Sequence, residues 1–143
     1  MKKKVLMAAL IAVCTFATCS ITSCTKEDPD GAWDPMKWKT SVTKNKDGWI
    51  TVPSEGGTYV FVCTNYNAPW MSDICERIDG KNVYYDRESL NLVKGSWITA
   101  QMDGTTMTVT VEPNTTGKER EVSVTATAGD IFDTFSFRQE ANK

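Results

Sequence analysis

From Trp49 to the C-terminus, apolar and polar residues alternate in short runs, a period of two that marks strands half-buried against a core. Trp49-Ile50-Thr51-Val52 is the first such run, and Pro53 ends it. Ser54-Glu55-Gly56-Gly57 reads as a turn, because adjacent glycines accept positive φ at no steric cost. The run 58–64 sets Tyr59, Phe61 and Cys63 on one face and Val60 and Val62 on the other, so it predicts a central strand covered on both sides. Met107, Val109 and Val111 alternate with Thr106, Thr108 and Thr110, and Val122, Val124 and Ala126 with Ser123, Thr125 and Thr127. Each pattern predicts a strand with its hydroxyl face toward water. Ala128-Gly129-Asp130 turns the chain into a last strand, where Phe135 and Phe137 alternate with Ser136 and Arg138. Turn signals roughly every 8–12 residues without a helical stripe predict an all-β fold, an antiparallel β-sandwich. The stretch 72–93 mixes Ile74, Ile78, Tyr84, Tyr85, Leu90 and Leu92 with many charges, and reads as a loop or an extra hairpin, with a short helix as the alternative.

The other end of the chain has a different pattern. Lys2, Lys3 and Lys4 precede an apolar run over 5–17, short of the about 20 residues a membrane-spanning helix needs. Small residues follow, which is the layout of a secretory signal peptide. Ile21-Thr22-Ser23-Cys24 resembles the bacterial lipobox. That resemblance implies a diacylglycerol thioether on Cys24, cleavage before it, and a membrane anchor of two or more acyl chains, which holds stably where one does not. Lys26-Glu27-Asp28 resembles the Lys-acid-acid signal that sends Bacteroidetes lipoproteins to the outer face of the outer membrane. The expected organisation is a signal peptide over 1–23, a lipidated N-terminus and tether over 24–47, and one domain over 48–143. Trp33 and Trp38 suggest that the end of the tether docks on the domain.

Composition narrows the chemistry. The 143 residues contain no histidine, which removes Ser-His-Asp and Cys-His nucleophilic machinery and the commonest metal ligand. Losing the leader's three lysines takes the net charge from −2 to −5, with no basic stripe to suit a nucleic acid. Cys14 and Cys19 leave with the leader, and Cys24 takes the lipid. Cys63 and Cys75 remain, too few for a zinc site. They either form a disulfide, worth on the order of 3 kcal/mol for a loop of about a dozen residues, or pack as two small apolar thiols.

The stretch 49–141 resembles a BACON domain, an immunoglobulin-like β-sandwich module of Bacteroidetes surface proteins often attached to glycan-degrading enzymes. The resemblance runs through Val52-Pro53, Gly56-Gly57, the β-run 59–63, Asn65, Trp70, Trp97-Ile98, the strand 107–111, Glu112-Pro113-Asn114, Arg120 and the terminal run 135–141. The stretch 72–96 is longer than the usual link between the two tryptophan strands. The family name implies carbohydrate binding.

Sugar rings stack their C–H faces on exposed aromatic planes, so Trp33, Trp38, Trp49, Tyr66, Trp70, Tyr84, Tyr85 and Trp97 are the candidates. The competing use of such residues is core packing, where each removes some 150–250 Å² from water. Trp70 and Trp97 read as core. Tyr66, in the polar loop Asn65-Tyr66-Asn67, and the Tyr84-Tyr85 pair are the expected ligand contacts. Neighbours on a strand point oppositely, so one of Tyr84 and Tyr85 should face water. Asp73, Glu76, Asp79, Asp86 and Glu88 offer carboxylate pairs of the kind a glycosidase uses, but acids in a charged segment read as solvated surface. The expectation is thus a non-enzymatic lipoprotein without metal or cofactor, held to the outer membrane by Cys24 and exposed at the cell surface. It would bind glycans or mucin, with a spacer or module that docks on outer-membrane proteins as the alternative.

Overall fold

Alternation becomes strand throughout the computed structural model, which describes residues 33–143. The strands are β1 (Trp38–Lys39), β2 (Trp49–Val52), β3 (Gly57–Cys63), β4 (Trp70–Ile78), β5 (Lys81–Ser89), β6 (Leu92–Lys94), β7 (Ile98–Asp103), β8 (Thr106–Val111), β9 (Arg120–Thr127) and β10 (Phe132–Gln139). Among the described residues there is no helix. The stretch that left hairpin and helix open is the long β4–β5 hairpin, turned by Asp79 at φ 47° and Gly80 at φ 75°. Signal peptide, lipobox and Cys24 lie outside the described residues.

Hydrogen bonds join the strands in the single order β1-β3-β8-β7-β6-β5-β4-β9-β10-β2. The expected pair of separate sheets is therefore one sheet curled into a half-barrel. β5 pairs β4 along its first part and β6 along its last, so it carries the ladder from one wing to the other. All pairings are antiparallel except β2 with β10, which makes the sheet mixed rather than purely antiparallel. Side chains from the two wings meet in one core. Phe61 of β3 stacks 4.4 Å from Phe135 of β10 and 6.3 Å from Phe137, and Tyr59 lies 5.6 Å from Phe137. The predicted inward residues Met107, Val109, Val111, Val122, Val124, Ala126, Phe135 and Phe137 are all buried.

Two expectations change. β3 is not central: its outer neighbour is the two-residue β1, and Val60 is 44% exposed. Its second apolar face is thus open to water at Val60 and half-buried at Val62. The docking expected of the tether's end is seen, and only the boundary shifts: residues 33–47 belong to the compact unit, which begins at Trp33 rather than at residue 48. Met36 is buried, and the Trp38 indole donates to Asp133 Oδ2 at 2.8 Å while its ring meets Phe135 edge-on at 5.3 Å. The Lys37 N–H donates to Asn65 Oδ1, and the Asn65 side-chain amide donates to the Pro35 carbonyl. These bonds tie the segment to the loop after β3.

A fully buried carboxylate sits where β4 meets the loop between β6 and β7. Glu76 accepts hydrogen bonds from the Ser96 N–H at 2.6 Å, the Ser96 hydroxyl, and the Tyr85 hydroxyl at 3.2 Å. A buried charge is tolerated only with such donors. A Cβ on Gly95 would collide with Glu76 Oε1, so only glycine lets the loop come this close. Nearby, Arg120 lies 4.1 Å over the Trp97 ring and donates from Nε to Gln139 Oε1 at 2.8 Å. Burial lowers the Arg120 pKa from its usual range, and the charges of Glu76 and Glu112 act in the opposite direction.

Candidate functional site

Pairing register decides which outward side chains share the face of the β5-β4-β9-β10-β2 wing. Tyr84 stands opposite Cys75, Cys75 opposite Ser123, Ser123 opposite Ser136, and Ser136 beside Trp49. One transverse row therefore begins and ends on an aromatic ring and has small side chains between. The Ser123 and Ser136 hydroxyls, 3.3 Å apart, confirm that this row is on one face. A second row runs Asp86, Asp73, Thr125, Thr134, with the two threonine hydroxyls 3.2 Å apart. A third runs Asn82, Arg77, Glu121, Arg138, Thr51.

Large ends and a small floor make a trough of about 350 Å³, lined by Trp49, Asp73, Tyr84, Ser123, Thr125 and Thr134 among others. Tyr84 is 67% exposed. The Arg138 guanidinium lies 4.6 Å over the Trp49 ring, and Glu121 holds that guanidinium at 2.8 Å, which fixes the indole from one side. Arg77 approaches the other Glu121 oxygen at 3.8 Å, and Glu119 reaches Arg138 at 3.4 Å. The charges of this third row are mutually paired. Those of the second row are not: Asp73 and Asp86 face each other directly, an arrangement that costs stability. The Ser72 hydroxyl donates to Asp73 Oδ2 at 2.7 Å.

A wall of aromatic rings with hydroxyls and carboxylates between them can hold a flat, hydroxyl-rich molecule. Rings take its apolar faces, and the polar side chains take or give hydrogen bonds. The sequence-predicted residues are distributed unequally around this trough. Tyr84 lines it. Tyr85 points to the other side of β5, packs against the core and gives its hydroxyl to Glu76. Tyr66 is half-buried in the loop after β3 and donates to the Asp34 carbonyl, so its polar end is already occupied in holding the N-terminal segment. Cys63 and Cys75 are both free thiols. Cys63 is buried in the core from β3, and Cys75 is half-buried on the trough floor in β4, so no disulfide joins them and only Cys63 packs as a buried apolar thiol. Trp49, an aromatic candidate not among the expected ligand contacts, also lines the trough. The alternation of Trp49 and Thr51 with the buried Ile50 and Val52 was the available signal for its outward direction.

A second concavity of about 350 Å³ lies at the end of the curled sheet, between Ile78, Ser96, Trp97, Thr116, Lys118 and Arg120. Its most polar group is committed elsewhere. Arg120 donates from Nη2 to the carbonyls of Glu112 and Pro113 in addition to its bond to Gln139. Trp97, expected in the core, is buried there, while Trp70 is half-buried.

Comparison with known proteins places the chain. Residues 85–139 match the family described as "BACON: Putative binding domain, N-terminal". A protein from Bacteroides thetaiotaomicron solved by NMR is 35% identical, with a TM-score of 0.68 over 84% of this chain and 98% of that one. The twitchin kinase region from C. elegans is 10% identical, with a TM-score of 0.42 over 77% of this chain and 17% of that one. No curated protein matches the chain.

Proposed function

This chain belongs to the BACON family of binding domains, and from that premise we propose that it is a non-enzymatic glycan-binding lipoprotein whose contact surface is the trough between Tyr84 and Trp49. The observation that supports the reading is the transverse row itself. Two aromatic side chains, one of them 67% exposed, bracket a floor of Cys75, Ser123 and Ser136 beside Asp73, Thr125 and Thr134. The immunoglobulin-like topology implied by the family resemblance belongs to the same reading, and the facing of β3 on β10 supports it. Anchoring through acyl chains on Cys24, at the outer face of the outer membrane, rests on the leader and the Lys26-Glu27-Asp28 stretch.

The test is a glycan array probed with residues 25–143, a fragment that keeps the compact unit from Trp33 whole. Binding to at least one glycan class is expected, with Tyr84→Ala and Trp49→Ala each weakening it at least tenfold, about 1.4 kcal/mol. Loss of signal on amides of β4, β9 and β10 during titration maps the contact. Binding that both variants retain in full would move the site elsewhere. Absence of any glycan bound, with pull-down of an outer-membrane protein instead, would favour the spacer or docking module.

A further inference from the structure

The geometry points to the shape and charge of the ligand: we infer that the trough takes an extended, uncharged oligosaccharide of several sugars, laid across the strands rather than along them. The inference rests on the glycan-binding reading and deepens it. Direction comes from the register. Tyr84 and Trp49 occupy the same transverse row on β5 and β2, with β4, β9 and β10 between them. Four inter-strand steps of about 4.8 Å separate them, roughly 19 Å of sheet. A single sugar reaches one ring only. A chain long enough to touch both must run perpendicular to the strands, over the small side chains of Cys75, Ser123 and Ser136. Bulk there would lift it off the sheet.

Charge comes from the rows on either side. Below the aromatic row, the two cations Arg77 and Arg138 face two acids, Glu121 and Glu119. Arg138 is held at 2.8 Å and Arg77 lies 3.8 Å from Glu121, so that row carries no excess positive charge toward a ligand acid. Above it, Asp73 and Asp86 stand opposite one another on the same face, without an ion pair among the described residues. Like charges directly opposite on paired strands are destabilising, so their retention marks a place where the local rules of sheet building give way to another demand. Two adjacent carboxylates accept hydrogen bonds from neighbouring hydroxyls of a neutral sugar. The same two repel a uronate, a sialate or a sulfate. Asp73 and Asp86 thus act as the residues that select against anionic glycans.

The experiment uses residues 25–143 and a ladder of neutral gluco-, xylo- and manno-oligosaccharides of one to six units, with oligogalacturonides of matched length as the anionic series. Calorimetric titration should give affinity rising at least tenfold from one sugar to about four in one neutral series, then levelling. Oligogalacturonides should bind at least tenfold more weakly than neutral chains of equal length. The double variant Asp73→Asn with Asp86→Asn, expected to fold because it relieves a repulsion, should narrow that gap to within threefold. In Trp49→Ala the length dependence should flatten, because the second ring is gone; Tyr84→Ala, the more exposed position, gives the same readout if Trp49→Ala unfolds. Binding that is equal for one sugar and for six, or as tight for the anionic series, overturns this inference while the glycan-binding reading stands. Binding to no member of either series, on this ladder and on the array, overturns both.

Discussion

On the β3-β8-β7-β6 wing, the outward rows run Thr58, Thr110, Thr99, Lys94 and Val60, Thr108, Gln101, Leu92. On the opposite wing they run Tyr84, Cys75, Ser123, Ser136, Trp49 and Asp86, Asp73, Thr125, Thr134. Both wings follow the same alternation, and both turn their apolar halves into one core. The first outward face is what strand formation alone would choose, since threonine and valine suit a pleated surface. The second keeps like charges in register, a thiol on its floor and large rings at its ends. A face that meets every local preference needs no further explanation. A face that departs from them on the neighbouring strands β5 and β4, with Asp73 opposite Asp86, is where binding is expected.

The largest effect that can be set against this comparison comes from the core that both wings share. Phe137 is fully buried and touches Tyr59 and Phe61 of the other wing. Phe137→Ala should cost about 3–5 kcal/mol, measured as a shift in the urea midpoint, and amide protection should fall on both wings together. Protection surviving on one wing alone would show two cores where one is described. Next in size is Glu76→Ala, which strands the Ser96 N–H, the Ser96 hydroxyl and the Tyr85 hydroxyl without their acceptor. The cost should be about 3 kcal/mol. Hydrogen exchange should rise first in the loop 95–97 and around Tyr85 on β5, and least on β8. Glu76→Gln keeps an acceptor and the shape, and should recover part of the loss.

The strands were readable because alternation is a local signal: Met107, Val109 and Val111 announce their direction within five residues. Less was readable of what depends on distant pairing. Val60 and Val62 look like a second buried face, yet Val60 is 44% exposed and Val62 half-buried, because no layer of the fold packs on that side of β3. The Tyr84-Tyr85 pair could be divided by the period of two, but which of them faces out depends on β4 and Glu76 lying behind Tyr85. Tyr66 has the composition of a contact loop around it, yet its hydroxyl is used by Asp34, 32 residues earlier in the chain. Trp49 and Tyr84 share one row only through the intervening registers of β4, β9 and β10, and no sequence spacing between them carries that fact.

The smallest expected effects sharpen the contrast most, because they compare matched changes on the two faces. Val60→Thr exchanges one β-branched residue for another at a position 44% exposed. Little apolar area is lost and strand preference is retained, so stability should stay within about 0.5 kcal/mol and glycan affinity should not move. Thr125→Val on the trough wing is the same exchange in reverse. It removes a hydroxyl that meets Thr134 at 3.2 Å, at the surface, where water replaces the lost bond, so stability should again stay within about 0.5 kcal/mol. Affinity for a neutral oligosaccharide should nonetheless fall severalfold, because the ligand loses one of the few hydroxyl partners on the trough floor. Equal effects of the two variants on affinity would mean that both wings serve the ligand, or that neither does, and the distinction between the faces would then be one of composition only.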